Sequence, residues 1–161
     1  MDPSLVLLLA FLIGVVTGLR SMTAPAAVAF GAHHGWLNLH GSPLSFMGST
    51  AAVIIFILLA LGEFVADKLP ATPSRTAPVG LIARAVLGGL CGACLVAGAQ
   101  SIAYSLAIGA VLGAAGGIAG AFAGYQVRTR LVKALKVPDF VIALSEDVVA
   151  IAAGLFIVSR F

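Results

Sequence analysis

Between Arg84 and Arg128 the chain carries no charged residue. A helix that crosses the hydrocarbon core takes about 20 apolar residues. The uncharged run is too long for one crossing. Gln100-Ser101 is the polar punctuation near its middle, so the pattern predicts two helices joined there by a tight hairpin. Composition places the whole chain in the same solvent. Of its 161 residues 61% are hydrophobic and 9% are charged, against about 45–50% and 25% in a soluble domain. An ordinary cytosolic enzyme, a disordered chain and a disulfide-rich secreted module are excluded. The expected fold is all-α, a polytopic membrane helix bundle forming a single integral-membrane domain over residues 1–161.

Five stretches are long and apolar enough to be spans, at about 5–30, 49–65, 81–99, 102–127 and 140–158. The N-terminus lacks the basic region of a secretory signal, so the first stretch reads as a retained span. Lys68, Arg75 and Arg84 fall on the second loop and its flanks, and Arg128, Arg130, Lys133 and Lys136 on the fourth. Basic loops face the cytoplasm. Five spans then put the N-terminus in the cytoplasm, in what is expected to be a bacterial inner membrane. The net charge of +3 is explained by this bias, and no nucleic-acid partner is expected.

Two strings recur. Ile13–Gly18 resembles Ile108–Gly113, and Leu61–Val65 resembles Leu144–Val148. An offset of three spans makes equivalent helices run in opposite directions, the inverted-topology repeat of many transporters. Glycine rows are dense. Gly109, Gly113 and Gly117 form one row, Gly116, Gly120 and Gly124 another, and Gly14/Gly18 and Gly88/Gly92 repeat the spacing. Small residues at such spacing let helix backbones touch in lipid. The rows read as a glycine zipper within the chain or at the contact of a homodimer.

Charges inside the spans carry the functional signal. Each costs about 2.5–3.5 kcal/mol at a bilayer centre and therefore seeks a partner or a cavity. Arg20 lies deep in the first span, Glu63 near the inner end of the second, and Glu146 and Asp147 about two turns into the fifth. Adjacent helical residues point about 100° apart, so Glu146 and Asp147 face different neighbours. One is expected to meet the second span and the other the Arg20 region. The segment Gly18–Pro25 reads as a broken or re-entrant stretch, because Pro25 removes a donor and disfavours helix before it. Thr23 and Arg20 would then face a bound group. Asp67 and Arg75 belong to a proline-rich loop able to bind phosphate or lipid headgroups, or simply to cap the bundle.

Cys91 and Cys94 are spaced as CxxC but lie in an apolar run with no second pair, and they read as small packing residues. His33, His34 and His40 fit no strong metal spacing. No metal, no cofactor and no enzymatic activity is expected. Gly18-Leu19-Arg20-Ser21-Met22-Thr23-Ala24-Pro25, the stretch 62–78 and the stretch 138–147 together resemble a bacterial integral-membrane family labelled domain of unknown function 4126. The resemblance implies a small polytopic membrane protein and supplies no activity or site residue.

Three functions compete on these residues. The leading one is a small transporter or channel for an ion or small solute, proton-coupled through a desolvated carboxylate, with Glu146 as the residue whose loss would uncouple it. The second is a membrane scaffold or accessory subunit in which the same charges are structural bridges. The third is a protein that handles anionic lipid through its basic inner loops.

Overall fold

A computed structural model describes residues 1–67, 77–100 and 105–161. Among these the chain forms six α-helices: α1 (Pro3–Leu19), α2 (Thr23–His33), α3 (Thr50–Ala66), α4 (Pro78–Gly98), α5 (Leu106–Leu135) and α6 (Asp139–Val158). A 3-10 turn at Ser45–Gly48 precedes α3, and no strand is present in the described residues. The fold is a helical membrane bundle. Three helices, α4, α5 and α6, are long and apolar enough to cross a bilayer, and α1 and α3 are shorter apolar helices. Ser49 starts α3 as an N-cap, its hydroxyl accepting from the Ala52 amide at 3.1 Å. Gln100 takes a left-handed φ of +49° just beyond α4, where the hairpin was expected. The helix expected to stop at Val127 continues to Leu135, so Arg128, Arg130 and Lys133 lie on α5 itself.

Helix directions follow from which residues meet. Met1, Leu5, Gly98, Ala99, Arg160 and Phe161 line one groove, so both chain termini and the end of α4 share one end of the bundle. Arg20, Glu63, Asp67, Arg84, Arg128 and Asp147 meet toward the other. The first segment, expected as one span, is instead a helix pair that doubles back. Val16 packs beside Gly154 and Arg20 reaches Asp147, so α1 runs antiparallel to α6. Ala27 packs beside Gly154 and Gly31 beside Val158, so α2 runs parallel to α6. This extra reversal corrects the expected arrangement. The N-terminus lies at the end opposite the basic residues of α5, where five single crossings put both on one side.

Directions also correct the repeat. Gly14 meets Gly113 and Gly18 meets Gly117, so α1 and α5 run the same way. The opposite directions expected of the strings in those two helices are not found. The second pair, α3 and α6, does run in opposite directions.

The glycine rows build the α1–α4–α5 core within a single chain. Gly109, Gly113 and Gly117 face α4, while Gly116 and Gly120 face the backbone of α1 at Phe11 and Val15. Gly124 is buried on the same helix. A methyl group added at Gly88 would lie 2.5 Å from the Gly113 carbonyl oxygen, and one at Gly117 2.5 Å from that of Arg84. Backbones this close gain dispersion contacts that replace the hydrophobic drive missing in lipid. Around this core Ile13, Val16, Val28, Leu95, Cys91 and Cys94 are fully enclosed.

Candidate functional site

The site is organised by the break between α1 and α2. Arg20 leaves the helix with φ −140° and ψ 111°, and α2 restarts at Thr23. Pro25 is the third residue of α2, where a helix has no use for its amide. A helix continued back through Ser21 would set the Pro25 ring against the Ser21 carbonyl, so the proline favours the break at this place. A break at depth leaves amides and carbonyls without partners, and a bilayer has no water to supply them. Two other helices supply them here. Glu63 of α3 accepts from the amides of Ser21 and Met22, both at 2.9 Å, and from the Ser21 hydroxyl at 2.5 Å. Arg84 of α4 donates from Nε to the Gly18 carbonyl at 3.2 Å and from Nη1 to the Gly80 carbonyl at 3.1 Å. A carboxylate thus sits on the positive end of α2 and a guanidinium on the negative end of α1, which is the favourable sign for each helix dipole. Their own charges are 3.8 Å apart.

Arg20 fills the centre and is only 1% exposed. It pairs with Asp67 and, at 2.5 Å, with Asp147, and donates weakly to the Ala143 carbonyl at 3.4 Å. The Phe64 ring lies 5.8 Å from the guanidinium. Asp67 also faces Arg128 at 3.5 Å, and Arg128 in turn grips Asp139 at 2.9 and 2.5 Å with Glu146 at 3.7 Å. The charges therefore alternate along one line: Asp139, Arg128, Asp67, Arg20, Asp147. Side-chain exposure falls along it from 60% at Asp139 through 16% and 19% to 1% and 6%. From their helix starts, Arg84 and Asp147 sit about 9 and 12 Å inside the bundle.

Most of the residues singled out from the sequence converge here. Arg20, Glu63, Asp67 and Asp147 form the cluster, with Asp147 facing Arg20 as expected of one member of the acidic pair. Glu146 faces Arg128 on α5 at 3.7 Å. Thr23 is buried beside the cluster but lines a separate groove, and its hydroxyl has no hydrogen-bond partner among the described residues. Arg75 lies outside the described residues. Three further members join the cluster: Arg84 and Arg128, which the sequence places on loops or their flanks, and Asp139, which the sequence does not single out. A signal for two of them was present: Arg84 continues the Gly88/Gly92 row at a spacing of four, and Arg128 continues Gly116/Gly120/Gly124. Residues four apart share a helix face, so both arginines had to point into the packed side.

Among the described residues no group of three or more His, Cys, Asp or Glu is arranged to hold a metal ion. His33 donates from Nδ1 to the Gly48 carbonyl at 3.0 Å and His34 to that of Phe30 at 2.9 Å, which ties the first loop to α2. Cys91 and Cys94 are buried free thiols.

No curated protein and no solved structure matches the chain. A family model does match, over residues 7–159, and its description is Domain of unknown function (DUF4126). The chain, an all-helical membrane bundle with a charged cluster at a helix break, belongs to the DUF4126 family.

Proposed function

We propose that this protein is a small membrane transporter or channel that moves protons or a small ion through the charge line at the α1–α2 break. The observation that carries the reading is the alternating series from exposed Asp139 to buried Asp147. Fixed charges are costly in a bilayer, and buried ion pairs add little net stability over apolar packing. The glycine contacts of α1, α4 and α5 already hold the bundle. Arg20 is shared by Asp67 and Asp147, so a proton can settle on either carboxylate while Arg20 keeps an ionised partner. Broken helices next to charged groups are where many transporters bind their cargo. Burial moves the coupling role from Glu146, favoured by sequence, to Asp147. By the positive-inside rule the end carrying Arg128, Arg130, Lys133 and Lys136 faces the cytoplasm of a bacterial inner membrane, and both termini face the opposite side.

The test is proton flux into liposomes carrying the purified protein and an internal pH dye. Under an imposed gradient the wild type is expected to acidify the lumen faster than protein-free liposomes, and Asp147→Asn to abolish the difference. A wild-type rate equal to that of empty liposomes, with a series of monovalent ions also giving none, refutes the reading.

One observation favours a second reading. The cluster acids meet arginine or backbone amides of their own chain, as bridges pinning a scaffold or accessory subunit would. In that case Asp147→Asn alters stability and leaves ion flux at the background level. The glycine rows are engaged within one chain, so a homodimer or partner would dock on another face. Handling of anionic lipid ranks third, through the exposed Arg130, Lys133 and Lys136 beyond the span.

A further inference from the structure

A groove of about 290 Å³ lies between α2, α3 and α6. Ala26, Ala27 and Ala60 give it a shallow floor, and Phe30, Ile57 and Phe64 are among the larger side chains around them. At its rim Ile57, Leu61 and Ile151 are 38%, 52% and 39% exposed. They continue into the exposed apolar belt of Ile54 and Leu58, so the groove opens toward hydrocarbon.

Among the described residues Thr23 is the single polar one of this lining. It is 4% exposed, and its hydroxyl finds no hydrogen-bond partner among the described residues. Other helical hydroxyls here bond the carbonyl four residues back, as Thr17 does to Ile13, Thr129 to Tyr125 and Ser145 to Val141. Thr23 is the first residue of its helix, so α2 holds no carbonyl four residues behind it. A bilayer supplies no water in its place.

Polarity along the groove has a direction. Thr23 and Phe64 lie at the charged end, beside Arg20. Phe30 lies about 10 Å farther along α2, toward the other end. An occupant must therefore be an apolar chain with an acceptor oxygen at the end nearer the basic residues. A phospholipid of the leaflet at the basic end has that polarity: headgroup outward, ester carbonyl next, acyl chain inward.

We infer that the α2–α3–α6 groove is a binding site for one acyl chain of a bilayer phospholipid, whose ester carbonyl accepts a hydrogen bond from Thr23. The site is independent of the transport reading, since it uses none of the ionised residues.

The test places the protein in phosphatidylcholine nanodiscs doped with a phosphatidylcholine that carries a diazirine on its acyl chain. After illumination, adducts are mapped by mass spectrometry. Groove residues Ala26 and Ala60 are expected to be labelled at least several-fold more than the belt residues Ile54 and Leu58. Thr23→Val keeps the shape and removes the donor, and is expected to lower groove labelling about fivefold with belt labelling unchanged. Ala60→Phe fills the floor and is expected to remove groove labelling. Equal labelling of groove and belt in the wild type means annular lipid only and overturns the site. So does efficient disulfide crosslinking of an A60C variant to a second chain, which would put another copy in the groove.

Discussion

Replacing Arg20 by Met tests whether the cluster is energetically real. The guanidinium is 1% exposed, and the variant removes the arginine of two carboxylates at once. The two losses are unequal. Asp67 is 19% exposed and retains Arg128 at 3.5 Å. Asp147 is 6% exposed and loses the cation 2.5 Å away. Removing one partner of a buried pair costs about 3–5 kcal/mol, and the larger share is expected at Asp147, the less exposed of the two carboxylates. The hydrogen bond to the Ala143 carbonyl, at 3.4 Å, is too long to add much. Total stability of a domain is about 5–15 kcal/mol, so Arg20→Met is expected to forfeit a large part of it. Adding Asp147→Asn removes the buried charge, and the double variant is expected to recover about 2 kcal/mol relative to the sum of the singles. Arg130→Met, at an exposed site, stays within about 0.5 kcal/mol of wild type. Reversible unfolding in bicelles measures all four. If Arg20→Met loses less than about 1 kcal/mol, or the double variant equals the sum of the singles, the pair is not coupled and the cluster reasoning fails.

Glu63→Gln keeps one acceptor but drops the charge on the α2 N-terminus, so faster amide exchange is expected at Ser21 and Met22, with a loss of about 1–3 kcal/mol; unchanged exchange would mean that Glu63 does not hold the break. Two glycines make an opposed pair. Gly88→Val forces a side chain against the Gly113 carbonyl and is expected to abolish a monodisperse peak in size-exclusion chromatography, whereas Gly62→Ala meets nothing within 4 Å and should raise the thermal midpoint by an amount equivalent to about 0.5–1 kcal/mol. A well-behaved Gly88→Val protein would refute the close α4–α5 approach.

The membrane class was legible because it depends on composition and on runs of apolar residues, which a linear reading measures directly. Four of the expected spans fall on α3, α4, α5 and α6 for the same reason, three of them within about three residues at each end, while α5 runs on to Leu135 past the expected stop at Val127. Glu63 and Asp147 were legible as charges in need of partners, since the cost of an unpaired charge does not depend on which fold supplies the partner. Arg84 and Arg128 were less so. Their spacing from the glycine rows put them on the packed face, but their position near the ends of apolar runs matched the basic flank of any loop.

The reversal at Arg20–Met22 was decided by tertiary structure. Gly18–Pro25 signals a break, yet a kinked single span and a doubled-back pair share that signal. The choice rests on whether Glu63 and Arg84, dozens of residues away, reach the broken ends and satisfy them. Sidedness of the N-terminus depends on that one choice, because each reversal of direction flips every crossing before it. The partner of each carboxylate was settled in the same way. Helical geometry alone separates Glu146 from Asp147 by about 100°; only the packing of α1 and α5 against α6 gives Arg20 to one and Arg128 to the other. Solvent class, helices and the need for ion pairs are local properties of this sequence, while the direction of α2 and the pairing of its charges exist only once the helices meet.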